Sequence, residues 1–213
     1  MERINSTLDV LNNQRSSVCY YLVKNKITIA TILLISLLYL FSLNPTRYVD
    51  PDTGHYLVIA KSFADGNGYR LISSPSNPSE NLVFPIYPLL LVPVFLFANG
   101  SFLAARAISA IFAMLSLGVI YLIAREFFRP RMATAVMALV GLSPMVMIYA
   151  RNILTEIPYM FFSLVAVFLI YKYDKKGVMG HSYLYLAFIF VLLALFTKLS
   201  GLILVITIVI YSS

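Results

Sequence analysis

The stretch "ITIATILLISLLYLFSL" (27–43) runs for seventeen residues without a charge, and further apolar runs return at 102–124, 132–149, 157–173 and 182–196. No other feature constrains the fold as much. A bilayer core takes about 20 apolar helical residues, and about 17 at the least. Inside lipid a spanning segment must satisfy its own backbone polar groups, which a helix does. The expected fold is therefore an all-α, polytopic membrane helical bundle of about five to six spans. Composition agrees: 60% of the residues are hydrophobic and 12% charged, against about 45–50% and about 25% in soluble domains. Such a chain has too little polar surface to cover its apolar surface without lipid.

The 26 residues before the first run are mixed and polar, with no small-residue cleavage site after the run, so they read as a cytoplasmic N-terminal segment and not a signal peptide. The membrane module then covers 27–213, with a long first outer loop at 44–101. The last run, "SGLILVITIVIYSS", starts at Ser200 and is too short to cross before Ser213. Cys19 stands alone, so no internal disulfide forms. The net charge of +7 comes from basic residues scattered at segment ends, which fits topology signals and not a nucleic-acid partner.

Segment 84–98, "FPIYPLLLVPVFLFA", is the ambiguous one. As a helix it reaches only about 22 Å, and Pro85, Pro88 and Pro93 weaken it as a straight span. Charge arbitrates. If 84–98 does not cross and the N-terminus is cytoplasmic, the inside holds Arg3, Arg15, Lys24, Lys26, Arg125, Arg129, Arg131, Lys172, Lys175 and Lys176, which is 10 of the 16 basic residues. If it crosses, the inside holds 7 against 9 outside. The first arrangement is expected, with 84–98 lying in the outer interface.

That arrangement collects the chemistry on one side. The 44–83 loop and the turns "ARNILTEIP" and "FTKLSG" all face outward, bringing Asp50, Asp52, Asp65, Glu80 and Glu156 together with His55, Arg151 and Lys198. Within the loop, 54–65 has helical periodicity, with Tyr56, Ile59, Ala60 and Phe63 on one face and His55, Lys61, Ser62 and Asp65 elsewhere. "ADGNGY" ends this helix with two glycines suited to positive φ.

The succession of Asp52, Tyr56 and Ala60, then "GNGY", "PIYP", "LSP", "ILTEIP" and "TKLSG" resembles the GT-C membrane glycosyltransferases, nearest to protein mannosyltransferases and aminoarabinose transferases. The resemblance covers about 50–205. It implies transfer of a sugar from a polyprenyl-phosphate donor to a lipid, glycan or protein acceptor on the extracytoplasmic side of the cell (inner) membrane. It implies Asp52 as the catalytic acid group of the first outer loop, with Glu156 of the "TE" pair beside it in the same cavity. The family's usual Arg in the last motif is here Lys198, a point charge in place of a bidentate fork. Family members carry more spans, so the chain is expected to be an N-terminal module that is inactive alone.

Chemistry fills in the roles. A hydroxyl acceptor needs a base, and the departing phosphate needs positive charge. Asp52 suits the first; Lys198, Arg151 or a divalent metal suits the second. A single displacement inverts the anomeric carbon, and the apolar spans offer a groove for the polyprenyl tail. Asp50, His55, Tyr56 and Glu80 are the neighbouring candidates, His55 as a metal ligand with Asp52 or Glu80. Each also has a plainer role: Asp52 as a helix N-cap, Glu156 as a helix-dipole partner, Lys198 as a side chain reaching the interface. A non-catalytic membrane subunit or an inactive remnant that binds lipid or a partner protein is the alternative reading.

Overall fold

The computed structural model describes residues 26–43, 51–76, 78–79, 83–176 and 181–212. Among them the chain is helical, with a single isolated antiparallel bridge between Arg70 and Ser79. In chain order the helices are α1 (Lys26–Phe41), α2 (Pro51–Ala64), α3 (Ile86–Ala98), α4 (Phe102–Phe127), α5 (Pro130–Gly141), α6 (Pro144–Ala150), α7 (Glu156–Lys176), α8 (His181–Leu195) and α9 (Gly201–Ser212).

Helix α4 is the axis. Most of its buried positions are small, namely Ala105, Ser109, Ala110, Ala113, Ser116 and Ala124, with Arg106 and Leu117 the exceptions. Small side chains let neighbouring backbones approach closely, which is how helices associate in lipid. Two clusters form on this axis. One gathers Ile35 and Tyr39 of α1, Ala113 and Leu117 of α4, Met137 of α5, Ala150 of α6 and Ile157 of α7. The other gathers Ala60 of α2, Tyr87, Leu91 and Val94 of α3, Ala105 of α4 and Ile153. At the far end of α4, Glu126 pairs with Lys172 and, at 3.1 Å, with Lys175, fastening it to the end of α7. Large apolar side chains stay exposed around the outside, among them Phe41, Phe97 and Leu139. A soluble surface seldom shows so much contiguous apolar area.

Among the described residues two helices, Phe102–Phe127 and Glu156–Lys175, are long and apolar enough to cross a bilayer, and a third span results if the pair Pro130–Gly141 and Pro144–Ala150 counts as one. That is fewer than the five to six read from the sequence. Helices α1, α3 and α8 are apolar but shorter, at 16, 13 and 15 residues. The run read as one span at 132–149 bends by 63° between α5 and α6. Pro144 is the cause: it lacks an N–H for the helical ladder and pushes Ser143 out of the helical region, to φ −60 and ψ 127. The freed Gly141 carbonyl accepts the Tyr39 hydroxyl at 2.8 Å.

Segment 84–98 forms one helix, α3. Two of its prolines cost little, since Pro85 caps it and Pro88 lies in the first turn, while Pro93 stands in the helix interior and removes one ladder donor. It rests on α2 and α4 through Tyr87, Leu91 and Val94. It ends at Asn99, which is left-handed at φ 48. Helix α2 starts three residues before the expected 54 and stops at Gly66 and Gly68, with φ of 78 and 73. Ile59 and Ala60 are buried as expected. Ser62, placed off the apolar face of the helix, is also buried; its hydroxyl donates to the Gly68 carbonyl at 2.8 Å and ties the glycine turn back to the helix.

Candidate functional site

Three pieces of chain meet at one end of the bundle: the first turns of α2, the turn 151–155 with the start of α7, and the turn 196–200 between α8 and α9. Hydrogen bonds hold them. The Thr53 hydroxyl donates to the Ile153 carbonyl at 3.0 Å. The Tyr159 hydroxyl donates to the Ser200 carbonyl at 3.1 Å, and the Ile86 N–H donates to the Phe196 carbonyl at 3.2 Å. Tyr87, fully buried, stacks edge-on against Tyr56 with ring centres 5.1 Å apart and shares a hydrogen bond with Ser109 at 3.1 Å.

The turn 196–200 is tight. Gly201 N–H donates to the Lys198 carbonyl at 2.8 Å. A Cβ on Gly201 would lie 2.5 Å from the Leu195 Cα. Glycine is what lets α9 start so close to the end of α8, and the close start puts Lys198 at the apex. There Lys198 Nζ donates to Glu156 Oε1 at 2.7 Å. Both side chains are about one-third exposed, at 35% and 30%. The other carboxylate oxygen, Oε2, is buried without a hydrogen-bond partner. An unsatisfied buried carboxylate oxygen is costly and calls for an explanation such as a site waiting for a ligand.

Asp52 lies in the first turn of α2, exposed. The helix starts at Pro51, so Asp52 sits inside it and is not its N-cap. Tyr56, one turn on, connects the two acids. Burial raises its phenol above the ordinary value; the nearby Thr155 side chain opposes the rise, and the charges of Asp52 and Glu156 add to it. Both carboxylates therefore act on one hydroxyl, which stays protonated at neutral pH.

Of the expected residues, Asp52, Tyr56, Glu156 and Lys198 come together. Arg151 does not join them: it is exposed at the end of α6, and no hydrogen bond or ion pair among the described residues ties it to Glu156. The turn 151–155 directs Thr155 and Glu156 inward and leaves Arg151 outside. His55 is exposed on α2. Asp50 and Glu80 lie outside the described residues. Among the described residues no three His, Cys, Asp or Glu side chains gather in one place. Arg106, counted from the sequence as an outer charge, is buried in the second turn of α4.

The sequence reading missed Thr53 and Thr155, both buried. Thr155 was in view as half of the "TE" pair, but only its neighbour suggested chemistry.

An apolar groove of about 630 Å³ lies between α7, α8 and α9, lined by residues such as Ile170, Val191, Leu195 and Val205, with Tyr173 and Asp174 at one end. Leu195 sits three residues before Lys198.

No curated protein and no solved structure matches the chain. The sequence model of the family described as dolichyl-phosphate-mannose-protein mannosyltransferase matches residues 83–212, more than half of the chain. The matched region holds Glu156, Lys198 and the groove; Asp52 precedes it. The chain thus belongs to the dolichyl-phosphate-mannose-protein mannosyltransferase family, membrane glycosyltransferases of the GT-C type.

Proposed function

We propose that the protein transfers a sugar from a polyprenyl-phosphate donor to a hydroxyl acceptor on a lipid, glycan or protein, on the extracytoplasmic side of the cell membrane, with the N-terminus cytoplasmic. The observation that carries this reading is the Glu156–Lys198 pair, with its unpartnered Oε2, set beside the Asp52 helix. It offers a cation and two carboxylates at one solvent-reachable point, next to the end of an apolar groove.

In this reading the acceptor hydroxyl loses its proton to Asp52 as its oxygen attacks the anomeric carbon. The new C–O bond forms on the face opposite the phosphate. The bond from the anomeric carbon to the phosphate oxygen breaks, and its electron pair leaves with the phosphate. Attack from the opposite face inverts the configuration. Lys198 exchanges part of its contact with Glu156 for the phosphate, where a charge-assisted hydrogen bond offsets the developing negative charge. Glu156 Oε2 accepts from a sugar hydroxyl, which satisfies it. The Tyr56 hydroxyl, neutral and within the field of both carboxylates, is open to donate to substrate oxygens. The donor's tail occupies the groove of α7, α8 and α9, whose Leu195 end adjoins the Lys198 turn.

The test incubates membranes containing the protein with a panel of radiolabelled polyprenyl-phosphate sugars and follows label into acceptors. Transfer that disappears in Asp52→Asn supports the reading. Absence of transfer with every donor favours a non-catalytic lipid-binding subunit.

A further inference from the structure

One hydrogen bond and one close side-chain approach join α2 to the turn 151–155. Thr53 donates to the Ile153 carbonyl at 3.0 Å across a sequence separation of 100. The Tyr56 phenol lies close enough to Thr155 to feel its side chain. On α2 the two residues are three apart, one turn of the same face; on the turn their partners are two apart. They form two rungs between the elements that carry Asp52 and Glu156. Asp52 directly precedes the first rung and Glu156 directly follows the second.

Thr53 is nearly inaccessible, at 4% exposure, and its partner Ile153 is 2% exposed. A threonine in the first turn of a helix commonly bonds to nearby backbone. This one reaches across to a different part of the chain, and its bond satisfies a carbonyl in a stretch without regular structure. The rung is buried and adjacent to the acid. Asp52 itself is exposed, with no hydrogen bond or ion pair among the described residues to fix it.

We propose that Thr53 is a positioning residue for transfer: its hydroxyl, clamped to the Ile153 carbonyl, sets the register of α2 against the 151–155 turn and thereby the placement of Asp52 relative to Glu156. This rests on the reading of the site given above. Thr53 touches no reacting atom. Losing its hydroxyl leaves the Ile153 carbonyl unsatisfied and frees the start of α2 to shift, and a misplacement of about 1 Å costs on the order of 100-fold in rate.

The test compares Thr53→Val, which keeps the shape and removes the hydroxyl, with Thr53→Ser, which keeps the hydroxyl. Thr53→Val lowers kcat by about 10- to 100-fold with little change in donor KM, because the donor's phosphate and tail contacts lie elsewhere. Thr53→Ser recovers most of the rate. A purely structural role would instead reduce the folded fraction and leave the kcat of folded protein unchanged. A second measurement needs no activity. Spin labels on cysteines at His55 and Arg151, both exposed, in a Cys19→Ser background, report the α2-to-turn distance. The distribution broadens in Thr53→Val and narrows again in Thr53→Ser. An unchanged distribution overturns the proposal, and so does a broadened one with wild-type kcat. If the wild type transfers no sugar at all, the functional reading fails separately, and the label distances alone decide the clamp.

Discussion

Gly201→Ala should damage the site without touching a polar atom in it. The backbone there is not left-handed, so alanine meets no conformational penalty, and only space is at issue. The added methyl carbon would lie 2.5 Å from Leu195 Cα, 2.6 Å from Leu195 N and 2.8 Å from Ala194 C. All three are backbone atoms, so no rotamer change relieves the contact. Carbon atoms rest at about 3.5–4.0 Å, so α9 must move away from α8 by about 1 Å. Overpacking of this kind costs about 1–3 kcal/mol, or roughly 2–4 °C of Tm for each kcal/mol in a chain of this size. The five-residue turn between the helices absorbs the shift, and Lys198 is its midpoint. Its 2.7 Å contact with Glu156 is then lost or lengthened, with a rate penalty of up to about 100-fold. Thermal unfolding in nanodiscs and labelled-sugar transfer measure the two effects. Gly118→Ala is the control: nothing lies within 4 Å of its Cβ position in α4, so it should hold or raise stability by about 0.5–1 kcal/mol. If Gly201→Ala keeps both Tm and transfer at wild-type levels, close approach is not what positions Lys198.

Asp52→Asn should abolish transfer while leaving membrane insertion and Tm unchanged, since the side chain is exposed and the shape is retained; substantial residual transfer would remove it as the base. Lys198→Gln should raise donor KM about tenfold or more, as expected for a lost charge-assisted hydrogen bond. Its stability cost should stay below about 1 kcal/mol, because a pair one-third exposed is partly screened; a large Tm drop with unchanged KM would make the pair structural. Cysteines at Asn67 and Asn152 in a Cys19→Ser background should react with an impermeant thiol reagent from outside, and one at Arg131 should not; the reverse pattern would invert the topology.

The periodic elements were legible in the sequence because each rests on one local signal. Apolar runs located α1, α4, α7 and α8 to within a few residues, and the glycines after Ala64 located the end of α2. Helix α2 starts at Pro51, a favoured first helical residue, ahead of the apolar periodicity that marks 54–65. The bend at Pro144 was hidden inside an uninterrupted apolar run, where hydropathy says nothing of direction. At the site, the charged residues drew attention by type, and Glu156 and Lys198 do meet. Arg151 is exposed at the end of α6 and makes no hydrogen bond or ion pair with Glu156 among the described residues, a placement that the backbone course decides and residue type does not. The roles of Thr53 and Thr155 were not legible because a hydroxyl's role depends on its partner, and the Ile153 carbonyl that Thr53 meets is 100 residues away in sequence.

The bond from Tyr39 to the Gly141 carbonyl makes the elbow between α5 and α6 a braced joint instead of a hinge. A broken helix in an apolar medium leaves carbonyls whose exposure is expensive, and a joint with such loose ends would straighten or flex to hide them. Here the loose end is tied to another helix by a buried tyrosine at 1% exposure. The arm beyond the elbow, α6, ends at Ala150 and leads directly into the turn that delivers Thr155 and Glu156. Helix α1 contributes no group to the chemistry, yet through Tyr39 it braces the elbow from which α6 leads toward Glu156.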